Sequence, residues 1–230
     1  MDLGSLGKKH PTLVIGFPGF GMAGSIALQH LIEHSKPRLI GHLSLHDASS
    51  TFLAIHEGRP IWPVSTYFDE DRSIVYIHAL IPLPNDSKTS DEFFAVIERI
   101  DPARIVVLES IGSMEDGHRT FSYVVDEKAS EGLSLPEGLE EGVVLGTSAE
   151  IFSRYPDRTV GIFSEANVSI PDSEAAAQLL ETLNGLFDLG MDATALRELS
   201  KVFEERVKRI LKDSKSAKSM SDKNQMFYVG

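Results

Sequence analysis

Gly19-x-Gly21-x-x-Gly24 is the spacing in this sequence with the most definite chemistry attached to it. It lies in Gly16-Phe-Pro-Gly-Phe-Gly-Met-Ala-Gly24, after a short apolar run and before a second apolar stretch. Placed between a strand and a helix, such a turn lets backbone N–H groups approach a pyrophosphate at the positive end of the helix. Asp47 follows about where an acid would take the ribose hydroxyls. One reading is therefore a nucleotide- or nucleoside-related enzyme that uses Gly19, Gly21, Gly24 and Asp47. The other is that the glycines only permit a tight turn and close strand–helix packing. Pro18 is foreign to a dinucleotide turn, and Phe17 and Phe20 crowd its mouth. Both readings stay open at this point.

Other polar residues are weaker candidates. His42 and His46 lie four apart in a predicted strand and so face one side. With Asp47 they could begin a metal site, but no third ligand stands at a suitable spacing, and no metal is assigned. His78 interrupts an apolar strand and reads as a hydrogen-bonded core histidine. Glu109 and Ser110 follow a buried strand, at the edge where sites of α/β proteins gather. Ser110 is not in a Gly-x-Ser-x-Gly elbow. Glu115, Asp116 and His118 fall in the loop that follows. A hydrolase or phosphorylase at that edge rests on fold analogy alone, so no catalytic residue and no cofactor are assigned. The chain has no cysteine, which excludes disulfides, zinc–thiolate sites and thiol catalysis.

The elements that must hold these residues are legible as periodic segments. Thr12–Phe17 reads as a buried strand, and the turn leads to a helix with Ile26, Ala27, Leu31 and Ile32 on its apolar face and Ser25 as its cap. Arg38–Leu45 reads as the next strand, giving a parallel pair with a right-handed crossover. Strands are predicted at Pro60–Val64, Ser73–Leu80, Arg104–Leu108, Phe121–Val125, Val143–Leu145 and Thr159–Phe163, with a helix at Ser90–Ile100. Gly132–Gly142 reads as an exposed loop. Asp172–Asp188 carries Ala176, Leu179, Leu180, Leu183 and Phe187 at helical spacing. A second amphipathic helix follows from Asp192, with Leu196, Leu199, Phe203, Val207 and Ile210 on one face, which predicts an αα-hairpin. With 230 residues, one α/β domain over 1–211 and a polar tail over 212–230 are expected.

Charge narrows the partners. The net charge is −12. Residues 212–225 hold four lysines against two aspartates, a local +2, which leaves −14 on the rest. So acidic a body repels phosphate backbones, and no nucleic-acid partner is expected. No apolar run approaches the roughly 20 residues that span a bilayer, and Met1–His10 has no apolar signal core. The expectation is a soluble, cytoplasmic protein without a membrane partner.

Several segments together resemble a known family. They are the loop Gly16–Ser25, Gly142-Val-Val-Leu-Gly146, Gly161-Ile-Phe-Ser-Glu165, Pro171-Asp-Ser-Glu-Ala-Ala-Ala-Gln-Leu-Leu180 and Leu186–Leu196. Their order is similar to that of the proteasome-assembly-chaperone-two family, in its archaeal or actinobacterial branch, over most of residues 12–211. The resemblance implies a three-layer α/β sandwich with a mostly parallel central sheet, similar to nucleoside phosphorylases, and a C-terminal αα-hairpin with a flexible tail. It implies a homo-oligomer, a trimer or tetramer, with no catalytic residues. It also implies a protein-binding chaperone or regulator of the proteasome core particle.

Family members that bind the assembled core use a C-terminal hydrophobic-Tyr-X motif between α-subunits. Met226-Phe227-Tyr228-Val229-Gly230 supplies the Phe227-Tyr228 pair, with Val229 as the X position. Gly230 displaces the carboxylate by about 3.5 Å, one residue of extended chain. The residues alone also suit a tethered ligand. An apolar cluster stands behind a polar segment with a random-coil span of about 20 Å. The bland alternative is that Met226–Val229 folds back on its own domain or pairs as an edge strand.

Overall fold

The computed structural model describes residues 10–43, 54–56, 59–83, 87–113 and 118–192, with 194, 197 and 198. Four expected features therefore lie outside the described residues: Asp47 with His46, Glu115 with Asp116, most of the second hairpin helix, and the tail with Phe227, Tyr228 and Val229.

A seven-stranded sheet forms the centre. Its strands are β1 (Thr12–Gly16), β2 (Arg38–His42), β5 (Val64–Asp69), β6 (Ile74–Ala79), β7 (Arg104–Ser113), β8 (Thr120–Val124) and β9 (Thr159–Asn167), while β3 (Ala54–His56) and β4 (Arg59–Ile61) make a separate small hairpin. The order is β2-β5-β6-β1-β7-β9-β8. β1 pairs in parallel with β6 and β7, and β7 with β9. The pairs β2–β5, β5–β6 and β8–β9 are antiparallel. Only β5 and β8 thus run against the others, so the sheet is mostly parallel. The runs read as central strands are buried on both faces, as parallel strands covered by helices must be.

Alternation along β1 sorts its side chains between two cores. Val14 packs with Tyr76, Val106 and Ile162 against α1 (Ala23–Ser35) and α4 (Ser173–Phe187). Leu13 and Ile15 pack with Val75, Ile77 and Val107 against α2 (Ser87–Ile100) and α3 (Gly146–Arg154). The sheet therefore lies between two helical layers. Each fully buried Leu or Ile contributes about 1.5–3 kcal/mol by leaving water, and nearly all of these side chains are inaccessible.

Several expectations are corrected. β1 and β2 run the same way but are not neighbours, because β5 and β6 stand between them. The crossover through α1 thus spans two intervening strands. Pro60–Val64 is not one strand: β4 ends at Ile61 and β5 begins at Val64. Val143–Leu145 is not a strand either. It finds no ladder partner, and Val143 and Leu145 stand exposed. The next residues form α3, which the sequence reading left out. α3 is short, and its buried face is only Ser148, Ile151 and Phe152.

α4 follows its sequence pattern. The Asp172 side chain accepts from the Ala175 N–H at 3.0 Å, an N-cap of the expected kind. The helix stops with Asp188 left-handed, two residues before Gly190. Beyond it, Arg197 meets Glu174 at 2.9 Å and Glu181 at 2.8 Å, so residue 197 lies beside α4.

Candidate functional site

The C-terminal edge of the parallel strands brings together the glycine-rich loop, Glu109, Ser110, His118, Glu165 and Asp172. β1 delivers the chain to Phe17, whose N–H donates to the Leu108 carbonyl at 3.2 Å. Phe20–Met22 then make a single tight helical turn into α1. Gly21 is left-handed at φ 60°, the backbone state that glycine adopts without steric cost.

The loop is filled from within the protein. A Cβ on Gly19 would stand 2.6 Å from the Ser110 hydroxyl oxygen, and one on Gly21 would stand 2.6 Å from the Cβ of Asp172. One on Gly24 would collide with the Leu108 and Phe17 carbonyls. The Ser110 hydroxyl donates to the Phe20 carbonyl at 2.5 Å, and the Asp172 N–H donates to the Gly21 carbonyl at 2.8 Å. The glycines therefore serve close packing of the turn against β7 and the start of α4.

Asp172 is the hub of this edge. Its buried carboxylate accepts from the Asn167 N–H at 2.8 Å as well as from Ala175. His118 stands 3.7 Å away, with Nδ1 at 3.2 Å from the Glu165 carbonyl. Arg119 pairs with the Glu165 carboxylate at 2.9 Å, which holds that carboxyl below its ordinary range. A phosphate in the loop would thus meet a buried carboxylate against Gly21, and like charges in a poorly solvated place repel strongly. This geometry disfavours the nucleotide reading of Gly19, Gly21 and Gly24.

The remaining candidates fall into place separately. The His78 ring is fully buried, and Nε2 lies 3.1 Å from the Ser25 carbonyl, as expected of a core histidine. Burial pulls it down to about 4, so the ring is neutral. The Ser25 hydroxyl does not cap α1; it donates across to the Ala79 carbonyl. Glu109 faces the other core, where burial pushes its carboxyl up against the opposing effect of a Ser148 hydrogen bond. His42 stacks on Trp62 with centroids 4.2 Å apart. Among the described residues, no group of three or more His, Asp or Glu is placed to hold a metal.

Two apolar features stand at the surface. Phe20 and Val168 both lie over Gly112 and stay about half exposed. Farther round, Tyr123, Val125, Leu139, Val144 and Phe152 line an open groove of about 620 Å³ beside the edge strand β8. Phe20 could be read from the sequence as a large apolar residue at the mouth of the turn. The groove could not, since its walls come together only through the fold.

The profile of the PAC2 family matches residues 13–211, which is most of the sequence. The chain belongs to the PAC2 family. It is similar to the uncharacterized protein MJ0106 of Methanocaldococcus jannaschii, at 24% identity over 96% of this chain and 94% of that protein. Its fold is similar to the crystal structure of Pyrococcus furiosus PbaA, described as an archaeal homolog of proteasome-assembly chaperone. That match has a TM-score of 0.73 at 23% identity and covers 96% of this chain and 95% of PbaA. Pyrococcus furiosus PbaB, described as an archaeal proteasome activator, matches with a TM-score of 0.67 at 19% identity, over 87% of this chain and 93% of PbaB. PAC2 membership speaks against the enzyme reading. Among the described residues, no helix is long and apolar enough to cross a membrane.

Proposed function

We propose that this chain is a protein-binding chaperone or regulator of the proteasome core particle, not an enzyme. The observation that carries the reading is the PAC2 match across residues 13–211. Two features support it. The glycine loop is occupied by Ser110 and Asp172, where an enzyme of the alternative kind would leave room for phosphate. PbaA and PbaB, which share the fold, are described in proteasome-related terms.

In this reading the partner is the α-subunit ring of the core particle. The domain, residues 1–211, is a cytoplasmic homo-oligomer, a trimer or tetramer, and residues 212–230 are a flexible tether. Phe227 and Tyr228 supply the hydrophobic-Tyr contact and Val229 follows it. Several tails on one oligomer raise the local concentration of the tag and add avidity without new contacts.

The test is capture of proteasome core particles by the full chain and by a chain lacking residues 226–230. Capture by the full chain, with at least a tenfold loss on truncation, is the expected outcome. Equal capture by both forms overturns the tail contact and leaves the partner. Capture by neither overturns the proteasome reading.

A further inference from the structure

One turn of α1 carries a pair that the fold does not explain. His30 and His34 lie four apart, so their side chains share a face. Their ring centroids are 3.9 Å apart. His34 is on the solvent side, and its Nδ1 lies 2.9 Å from the His30 carbonyl. A carbonyl can only accept, so Nδ1 carries a proton, which leaves Nε2 as the nitrogen that can ligate. This is how a metal-ligating imidazole is commonly oriented, with the far nitrogen tied to a backbone carbonyl.

His30 is more than nine-tenths buried, and its Nε2 has no hydrogen-bond partner. A buried polar nitrogen without a partner costs about 1–3 kcal/mol. Stacking against His34 gives van der Waals contact but no such partner. Burial, helped by His34, lowers the basicity of His30 and keeps the ring in the neutral, ligating form. Glu33 lies close enough for its negative charge to act on the same ring. The sequence of this turn, His30-Leu-Ile-Glu33-His34, is the His-x-x-Glu-His spacing that places two imidazoles for one ion on a helix.

We propose that His30 and His34 form a two-histidine clip for a borderline divalent ion such as Zn²⁺. Imidazole nitrogens suit Zn²⁺, Ni²⁺ and Cu²⁺, and exclude Mg²⁺ and Ca²⁺ as occupants. No third side-chain ligand stands by among the described residues. Water completes the coordination, and the affinity is micromolar, not the much tighter binding of a closed four-ligand site. The ion joins adjacent turns near the C-terminal end of α1 and satisfies the His30 nitrogen. It does no hydrolysis there. The site is independent of the tail and of the proteasome reading.

The test is equilibrium dialysis of the untagged full chain against ZnCl₂ near neutral pH, with thermal melting in parallel. The expected result is one ion per chain at micromolar free Zn²⁺ and a melting temperature that rises with Zn²⁺ concentration. His34→Ala and His34→Gln change an exposed residue. Each is expected to weaken binding at least tenfold, while His118→Ala leaves it unchanged. The proposal is overturned by no saturable binding below about a millimolar free ion, or by stoichiometric binding that survives both His34 substitutions. If a His34 variant melts at the wild-type temperature without Zn²⁺ but still gains the full Zn²⁺ shift, the ion sits elsewhere and the clip is likewise rejected.

Discussion

The two faces of the sheet are built from different materials. On the face under α2 and α3 the filling is large. Phe17, Phe93 and Phe94 form a chain of rings with centroids 6.2 and 5.4 Å apart. The face under α1 and α4 mixes leucines and Tyr76 with a set of small residues where helix and helix meet the sheet. Ala23, Ala27, Ala175, Ala176 and Ala177 are all fully buried there. Three consecutive alanines cover well over half a helical turn, so α4 is enclosed by more than the sheet alone. This face also holds the buried polar groups His78, Tyr76 and His30. The aromatic layer is held by volume. The alanine layer is held by close approach and by a few fixed hydrogen bonds. Each layer therefore has its own way to fail.

The aromatic layer fails by truncation. Phe93 is inaccessible to solvent and meets both Phe17 and Phe94. Phe93→Ala removes most of a ring and leaves a cavity that two neighbouring rings cannot fill. The expected loss is about 3–5 kcal/mol in urea unfolding, the largest effect of the series. A loss below about 1 kcal/mol would mean that the layer collapses onto the gap, and that its stability does not rest on ring volume.

The same contrast shows what could be read from the sequence. β1, β6, β7 and β9 were legible because a continuous apolar run is what a doubly covered strand requires. α4 was legible from Asp172 at its cap and from one apolar stripe. The sheet order was not legible. Nothing local to Arg38–His42 says that β5 and β6 stand between β2 and β1, since pairing is a choice between distant segments. α3 was missed because Val143 and Leu145 imitate a strand just before it. At the glycine loop the sequence left two readings open. What weighs between them is Asp172, far along the chain, whose contact with Gly21 no local pattern announces. The His30–His34 spacing was not singled out in the sequence, and the burial and unpartnered nitrogen of His30 appear only in the fold.

The alanine layer, which holds the buried His78, fails through pH. Burial holds His78 at about 4, against 6.5 for a free imidazole. Between those values the unfolded chain takes up a proton that the folded chain refuses. Stability is therefore complete above about 6.5, falls as the pH drops toward 4, and levels off below it. The shift corresponds to about 3 kcal/mol. His78→Gln keeps a donor for the Ser25 carbonyl but cannot take up the proton. Unfolding free energies of the two chains, measured from pH 7 to 4, should converge by about 3 kcal/mol as the pH falls. Parallel curves would show that the buried ring does not supply the acid sensitivity of this face.

The smallest effect is expected where the alanine layer is enlarged. Ala176 is inaccessible and lies in the core shared by α1 and α4. Ala176→Leu adds three carbons where two helices and a sheet already meet. Their burial is favourable in itself by about 0.8 kcal/mol per added group, but it requires α4 to move outward or its neighbours to leave their rotamers. Overpacking of a filled core costs about 1–3 kcal/mol net. α4 also carries Asp172 at its start, so outward movement would loosen the bonds from Asp172 to Gly21 and Asn167. Hydrogen exchange at the Asn167 and Asp172 amides is the sharper readout. In Ala176→Leu both should exchange faster, by about the factor of 5 to 150 that this loss implies if α4 shifts as a rigid unit. Phe93→Ala acts on the opposite face, so these two amides should gain no local opening of their own and should stay as protected, relative to the slowest amides of the same variant, as they are in the unsubstituted chain. If Ala176→Leu is neutral and leaves those amides protected, the small residues do not set the spacing between helix and sheet. The two faces would then differ in composition but not in how they hold the fold together.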